Sequence, residues 1–112
     1  MNRKYSLKRP KDIDRVFHLR NSVGTKYYTV YFAPSSQASP RIAISISKRC
    51  GNAPLRNYEK RVLRELLRPH LMKMKNGDYL FIIKQQATTI PYQAKQEQID
   101  YLTQKLMKNK EN

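Results

Sequence analysis

One hundred and twelve residues bound this chain to one domain with one modest core. Twenty-three Lys and Arg against eight Asp and Glu give +15 with both His neutral, a charge that repels itself unless something anionic balances it. No apolar run approaches the ~20 residues of a membrane span and no signal-peptide core opens the chain, while eight Tyr and three Phe exclude a disordered basic tail. The expectation is a cytoplasmic domain that folds and then binds polyanion, with no membrane partner.

In chain order, residues 1–9 form a basic arm with Arg3, Lys4, Lys8 and Arg9, in which Tyr5 and Leu7 can dock on the domain. Pro10 suits a first helical turn, where its missing N–H costs nothing, and Ile13, Val16, Phe17 and Arg20 follow at helical spacing, predicting a helix over 10–20. Residues 27–32 are aromatic and β-branched, which favours a strand, and Pro34 to Pro40 reads as a hairpin-like loop. From Arg41 to Ser47 the pattern alternates, with Ile42, Ile44 and Ile46 on a core face and Ala43, Ser45 and Ser47 on a shallow one. Gly51 to Pro54 breaks this strand, Asn52 is placed to cap a helix over 53–68, and Pro69 kinks or divides that helix before Asn76-Gly77 stops it. Residues 79–84 are apolar on both faces, as in a central strand. Thr88 to Pro91 opens a last helix with an Ile99, Leu102, Leu106 stripe, and the tail after Met107 is expected to fray. The sum is a single α+β domain in the order α, several β, α, β, α.

The second helix concentrates the charge. At about 100° per residue, Arg56, Lys60, Arg64 and Arg68 follow one slowly drifting stripe with Asn57 and Arg61 beside it, while Leu55, Val62, Leu63 and Leu66 point the other way. Glu59 and Glu65 are the acidic residues available to it. Guanidinium forks on such a face grip phosphate oxygens in pairs, and Asn57 can donate and accept at a sugar or base edge. The plainer alternative is an ordinary solvated face, against which stands the mutual repulsion of like charges at i, i+4 spacing.

A second constellation is aromatic. Tyr27, Thr29 and Tyr31 share a strand face, and Ile13 and Phe17 lie about one helical turn apart. If that strand pairs with the 41–47 strand, the tyrosines stand beside Ala43, Ser45 and Ser47 and form a groove with an aromatic wall, edged by Lys48 and Arg49. Such a groove suits single-stranded nucleic acid, whose bases stack on rings while lysine and arginine take the phosphates. The alternative is that Phe17 and the tyrosines simply close the core.

Catalytic signals are poor. Asp12 and Asp14 diverge on a helix, neither His18 nor His70 has a nucleophile beside it, and three glycines make no phosphate loop. Cys50, the single cysteine, forms no internal disulfide and reads as a strand-end residue, so no protein metal site and no catalytic residue are expected.

The segment from Ser45 to Arg68, SISKRCGNAPLRNYEKRVLRELLR, resembles the bacterial ribonuclease P protein subunit. The resemblance extends over nearly the whole chain: the basic arm, DIDRVF, YYTVYF, the GNA turn, the basic helix and DYLFIIK occur in that family's order. It implies an α-β-β-β-α-β-α two-layer sandwich with a left-handed crossover, ribosomal protein S5 domain 2-like, and hence a fourth short strand near Asn21 to Lys26. It also implies a non-catalytic protein cofactor of a ribozyme, in which RNA and Mg²⁺ cleave the 5′ leader from precursor tRNA. The protein alone then binds no cofactor, its partners are the catalytic RNA and the leader, and no DNA is expected. By position, the family's Arg-Asn-Arg segment falls on Arg56, Asn57 and Tyr58, followed by Lys60, Arg61 and Arg64, and its leader cleft falls on Ile13, Phe17, Tyr31 and Ser45 with Lys48 at the edge. Arg68 extends the first group, and Tyr27 and Ser47 the second, on the spacing argument above. Three positions depart from the family: Tyr58 stands for the last motif arginine, Ile13 for a common aromatic, and Arg20 for a frequent glycine. A ribosomal or general RNA-chaperone protein accounts for the charge and size equally well, without requiring a groove beside a separate basic helix.

Overall fold

The computed structural model describes residues 3–35 and 37–109. Its elements are α1 (Pro10–His18), β1 (Ser22–Gly24), β2 (Tyr28–Ala33), β3 (Arg41–Ile46), α2 (Ala53–Leu67), β4 (Asp78–Ile83) and α3 (Tyr92–Asn109). Short 3₁₀ turns occupy Arg3–Tyr5, Lys48–Cys50, Arg68–His70 and Gln85–Thr89. The element order is the α-β-β-β-α-β-α expected.

The four strands form one sheet in the order β1-β2-β4-β3. β2 runs antiparallel to β1 and β4, whereas β3 runs parallel to β4. Parallel neighbours need a crossover, and α2 supplies it. The pairing of β2 with β3 on which the aromatic groove was conditioned does not form: β4 lies between them. After Asp78 its residues are apolar on both faces and almost all buried, so the middle of the sheet is where they lose most contact with water.

The two faces of the sheet are unequal. Tyr28, Val30, Ile42, Tyr79, Phe81 and Ile83 pack against α2 and α3, and Ile99, Leu102 and Leu106 supply the third helix's contribution as their spacing predicts. Burial, and secondarily the nearby charge of Glu59, pushes the Tyr28 hydroxyl well above its ordinary ionisation range. On the other face a smaller cluster joins Ala43 and Leu80 to Val16 of α1 and Leu7 of the arm. The basic arm docks through Leu7: its N–H donates to the Ile42 carbonyl at 2.9 Å, and Ser6 bridges to Ile42, so the arm covers part of the otherwise open edge of β3.

Local chemistry sets the boundaries. Asn52 caps α2, its Oδ1 accepting from the Leu55 N–H at 3.0 Å. Gly51 has φ 141°, and a Cβ there would lie 2.5 Å from Leu55 Cδ2, so the turn before α2 requires glycine. Beyond Leu67 the chain tightens into the Arg68–His70 turn around Pro69. The last helix begins later than the residues suggest, because Gln85–Thr89 forms its own 3₁₀ turn first, and it runs through Asn109. Residues 110–112 of the expected frayed tail lie outside the described residues.

α1 ends at His18, short of the expected 20, and Arg20 then adopts φ 59° with its N–H donating to the Phe17 carbonyl at 3.3 Å. This left-handed exit is the geometry glycine serves at helix ends, and here an arginine occupies it. Arg20→Val should lower stability by about 1 kcal/mol or more, since a β-branched side chain crowds this conformation further, whereas Arg20→Gly should fold at least as well. Urea denaturation of the two variants checks this, and equal stability of both would contradict the conformational argument.

Candidate nucleic-acid interface

α2 sorts its side chains as the stripe predicts. Asn57, Tyr58, Arg61 and Arg64 are exposed, as is Arg68 in the turn that follows, Arg56 and Lys60 are half-buried, and Val62, Leu63, Leu66 and Leu67 are buried against the sheet. Arg56 Nε is enclosed with no hydrogen-bond partner among the described residues. Glu59 does not belong to the charged face. Its side chain is only 2% exposed and accepts two hydrogen bonds from Lys95 Nζ of α3, at 2.9 and 2.8 Å. Of the two acidic residues on this helix, Glu65 alone remains exposed, so little negative charge offsets the cations.

The aromatic constellation also assembles, on the sheet face opposite α2. Phe17 stands 5.0 Å from Tyr31 between ring centroids, with Ile13 packed on the same small cluster. The intervening β4 gives this face two rows across three strands: Tyr31, Leu80 and Ala43, then Thr29, Ile82 and Ser45. Thr29 and Ile82 are half-buried and Ser45 is exposed, leaving an accessible strip beyond the Phe17 ring, which itself is 39% exposed. Lys48 and Arg49 lie exposed in the turn that follows β3. Ser47 starts that turn, its Oγ accepting from the Arg49 N–H at 3.1 Å, so its side chain holds backbone in place.

Tyr27 departs from the expected face. It precedes β2 and packs against the larger cluster on the α2 side, together with Tyr28. The reason is a turn: Thr25 Oγ1 accepts from the N–H groups of Tyr27 and Tyr28, and the Thr25 N–H donates to the Tyr28 carbonyl at 2.8 Å. Strict alternation therefore begins only at Tyr28, and Tyr27 lies outside the cleft wall.

Asp78, which the sequence reading passed over, fixes α1 above the sheet. Its fully buried carboxylate accepts from Arg15 Nη2 of α1 at 2.6 Å and from Arg41 Nε and Nη2 of β3 at 2.8 and 2.9 Å. The bond to Asp78 holds the Arg41 guanidinium above its ordinary ionisation range. Anchoring Arg15 sets where Phe17, half a turn further on, meets Tyr31. The signal was legible in principle, because a carboxylate at the start of a fully apolar strand needs a charged partner.

A cavity of about 270 Å³ at the β3 edge is lined by Lys8, Ile13, Ala43, Ile44 and Arg64 among others, so the cleft and the charged helix meet there. Among the described residues, no group of His, Cys, Asp and Glu is arranged to hold a metal ion, and no helix is long and apolar enough to cross a membrane.

A basic helix and an aromatic strip flanking one sheet edge are the features on which comparison with known proteins bears. A family model described as Ribonuclease P matches residues 1–107. The chain belongs to the ribonuclease P protein family. Among relatives, the ribonuclease P protein component of Acholeplasma laidlawii is 38% identical over 104 residues, covering 91% of this chain and 89% of that protein. The corresponding protein of Pediococcus pentosaceus is 32% identical over 104 residues, covering 91% and 87%. The solved RNase P protein of Staphylococcus aureus superposes with TM-score 0.81 at 29% identity, covering 88% of this chain and 91% of that one. The Thermotoga maritima RNase P protein, at 22% identity, shares the fold with TM-score 0.80, covering 89% and 96%. As a member of this family, the chain is a protein cofactor in tRNA 5′-leader processing and associates with the ribonuclease P RNA, which carries the chemistry.

Proposed function

We propose that the two constellations divide the work of the holoenzyme. α2 binds the catalytic RNA through Arg56, Asn57, Lys60, Arg61, Arg64 and Arg68, whose guanidinium and ammonium groups neutralise phosphates. The 5′ leader of precursor tRNA lies in the cleft formed by Ile13, Phe17, Tyr31 and Ser45, with Lys48 on its phosphates. The observation that carries this reading is the Phe17–Tyr31 pair at 5.0 Å beside an accessible strip of sheet. Aromatic rings in such a strip accept bases of any sequence, which suits a cofactor serving many leaders. The protein supplies no nucleophile. It raises substrate affinity and lowers the Mg²⁺ the RNA requires, the metal being held mainly by RNA, and it works in the cytoplasm.

The test is precursor tRNA cleavage at low Mg²⁺ by a bacterial ribonuclease P RNA with and without the protein, including a protein-alone control. Stimulation should require both components, and the Arg56→Ala, Arg61→Ala double variant should lose much of it while retaining its fold. Phe17→Ala should weaken leader-bearing substrate about 5- to 150-fold, the loss of one stacked base, and leave leaderless tRNA unaffected. Undiminished cleavage by these variants would overturn the division of labour. Equal stimulation of substrates with and without a leader would favour general RNA binding, and cleavage by protein alone would place an active site in the chain.

A further inference from the structure

Tyr58 stands exposed on the charged face of α2, between Asn57 and Arg61. It adds no charge there, and the core side of the helix is already filled by Val62, Leu63, Leu66 and Leu67. Yet the ring is 43% exposed and held by two cations: Lys95 Nζ lies 5.4 Å from its centroid and the Arg61 guanidinium carbon 5.9 Å. The two differ in freedom. Lys95 is 4% exposed and its ammonium is clamped on both carboxylate oxygens of Glu59, whereas Arg61 is exposed on the next turn. One cation is therefore fixed against the ring and the other is free to leave it. A cation–π contact of this kind, made before RNA arrives, orders the tyrosine in advance and reduces what binding must immobilise.

From this geometry we infer that Tyr58 is a stacking platform for one unpaired nucleobase of the catalytic RNA. The base takes the place of the Arg61 guanidinium over the ring, and Arg61 moves to a flanking phosphate. Exposed rings set among cations are the arrangement by which proteins hold unstacked bases, because the π-face takes the base while the cations take the backbone on either side. Tyr58 thus adds a base contact to a helix face whose other contacts are to phosphate. The inference rests on the reading that α2 faces the RNA, and the experiment separates the two.

Binding of the full-length protein to a bacterial ribonuclease P RNA is measured across a salt series. Tyr58→Phe, which keeps the π-face, should bind like the parent. Tyr58→Leu should lose about 5- to 150-fold in affinity with an unchanged slope of log affinity against log salt, since no phosphate contact is lost. Arg61→Ala should instead reduce that slope by about 1. The chain contains no Trp, so Tyr58→Trp provides a unique fluorophore, whose emission should be quenched at saturating RNA with affinity retained. Parental affinity of Tyr58→Leu, or an unquenched Tyr58→Trp at saturation, overturns the stacking site and shows the ring to be a cover over the Glu59–Lys95 pair. If Tyr58→Leu melts below the binding temperature, the tryptophan variant alone decides. If Arg61→Ala changes neither affinity nor slope, the RNA-facing assignment of α2 fails, and the stacking site falls with it.

Discussion

Lys95→Met should destabilise this protein by about 3–5 kcal/mol, the expected loss when one member of a buried ion pair is removed. Lys95 and Glu59 have side chains only 5% and 2% exposed, and the ammonium donates to both carboxylate oxygens. Deleting the lysine leaves a carboxylate between α2 and α3 with neither water nor a counter-charge. An exposed pair would lose about 0–1 kcal/mol, so the measured value discriminates sharply between a dry pair and a wet one. The double variant Glu59→Leu, Lys95→Met should recover most of the loss, because a buried pair replaced by apolar groups of similar size is often no less stable. Denaturant unfolding of the three proteins checks the cycle. A small effect in the single variant would show that water reaches Glu59. The double variant has a functional consequence as well: it keeps the fold but removes the fixed cation beside Tyr58, and should weaken RNA binding without changing the charged stripe.

The ion pairs mark the boundary of what the residues disclosed in advance. The alternation of Ile42, Ile44 and Ile46, the cap at Asn52 and the apolar run ending at Ile83 are local signals, and each became the element expected of it. β1 gave no such signal. Ser22–Gly24 is too short to show a period and is a strand only because it pairs with Thr29 to Tyr31. The order of strands was equally hidden from local pattern, although the apolar character of β4 on both faces argued for a central position. Tyr27 was misplaced because Thr25 bends the chain just before the alternation begins. Glu59 lies three and four residues before Val62 and Leu63, on the core side of its own helix, which was reason to expect a buried partner. Which of many lysines and arginines would meet it depended on the packing of α3, and that is not a local property. The site was legible to the same degree: its charges and rings follow helical and strand periods, whereas the pairs that aim them, Arg15 with Asp78 and Lys95 with Glu59, join distant segments.

Those pairs also determine how much of the +15 charge reaches RNA, and hence how steeply binding should depend on salt. Arg15 and Arg41 are committed to Asp78 and Lys95 to Glu59, so they contribute little to phosphate neutralisation. Four cations on α2 remain, namely Arg56, Lys60, Arg61 and Arg64, with Arg68 in the turn that follows it, and Lys8, Lys48 and Arg49 stand exposed beside the cleft. If these neutralise about 6 to 8 phosphates, affinity for the catalytic RNA with bound precursor should fall by about 10³ to 10⁴ between 50 and 200 mM salt. The dependence should divide between the two surfaces. Each alanine on α2 should reduce the slope for catalytic RNA by about 1, while Lys48→Ala should reduce it only for substrates carrying a leader. Phe17→Ala should shift leader affinity with the slope intact, because a stacked base releases no counterions. Filter binding or fluorescence titration over the salt range measures all of these. A flat response would remove the electrostatic basis of the interface, and equal slopes for leader-bearing and leaderless substrates in the Lys48 variant would detach that lysine from the cleft.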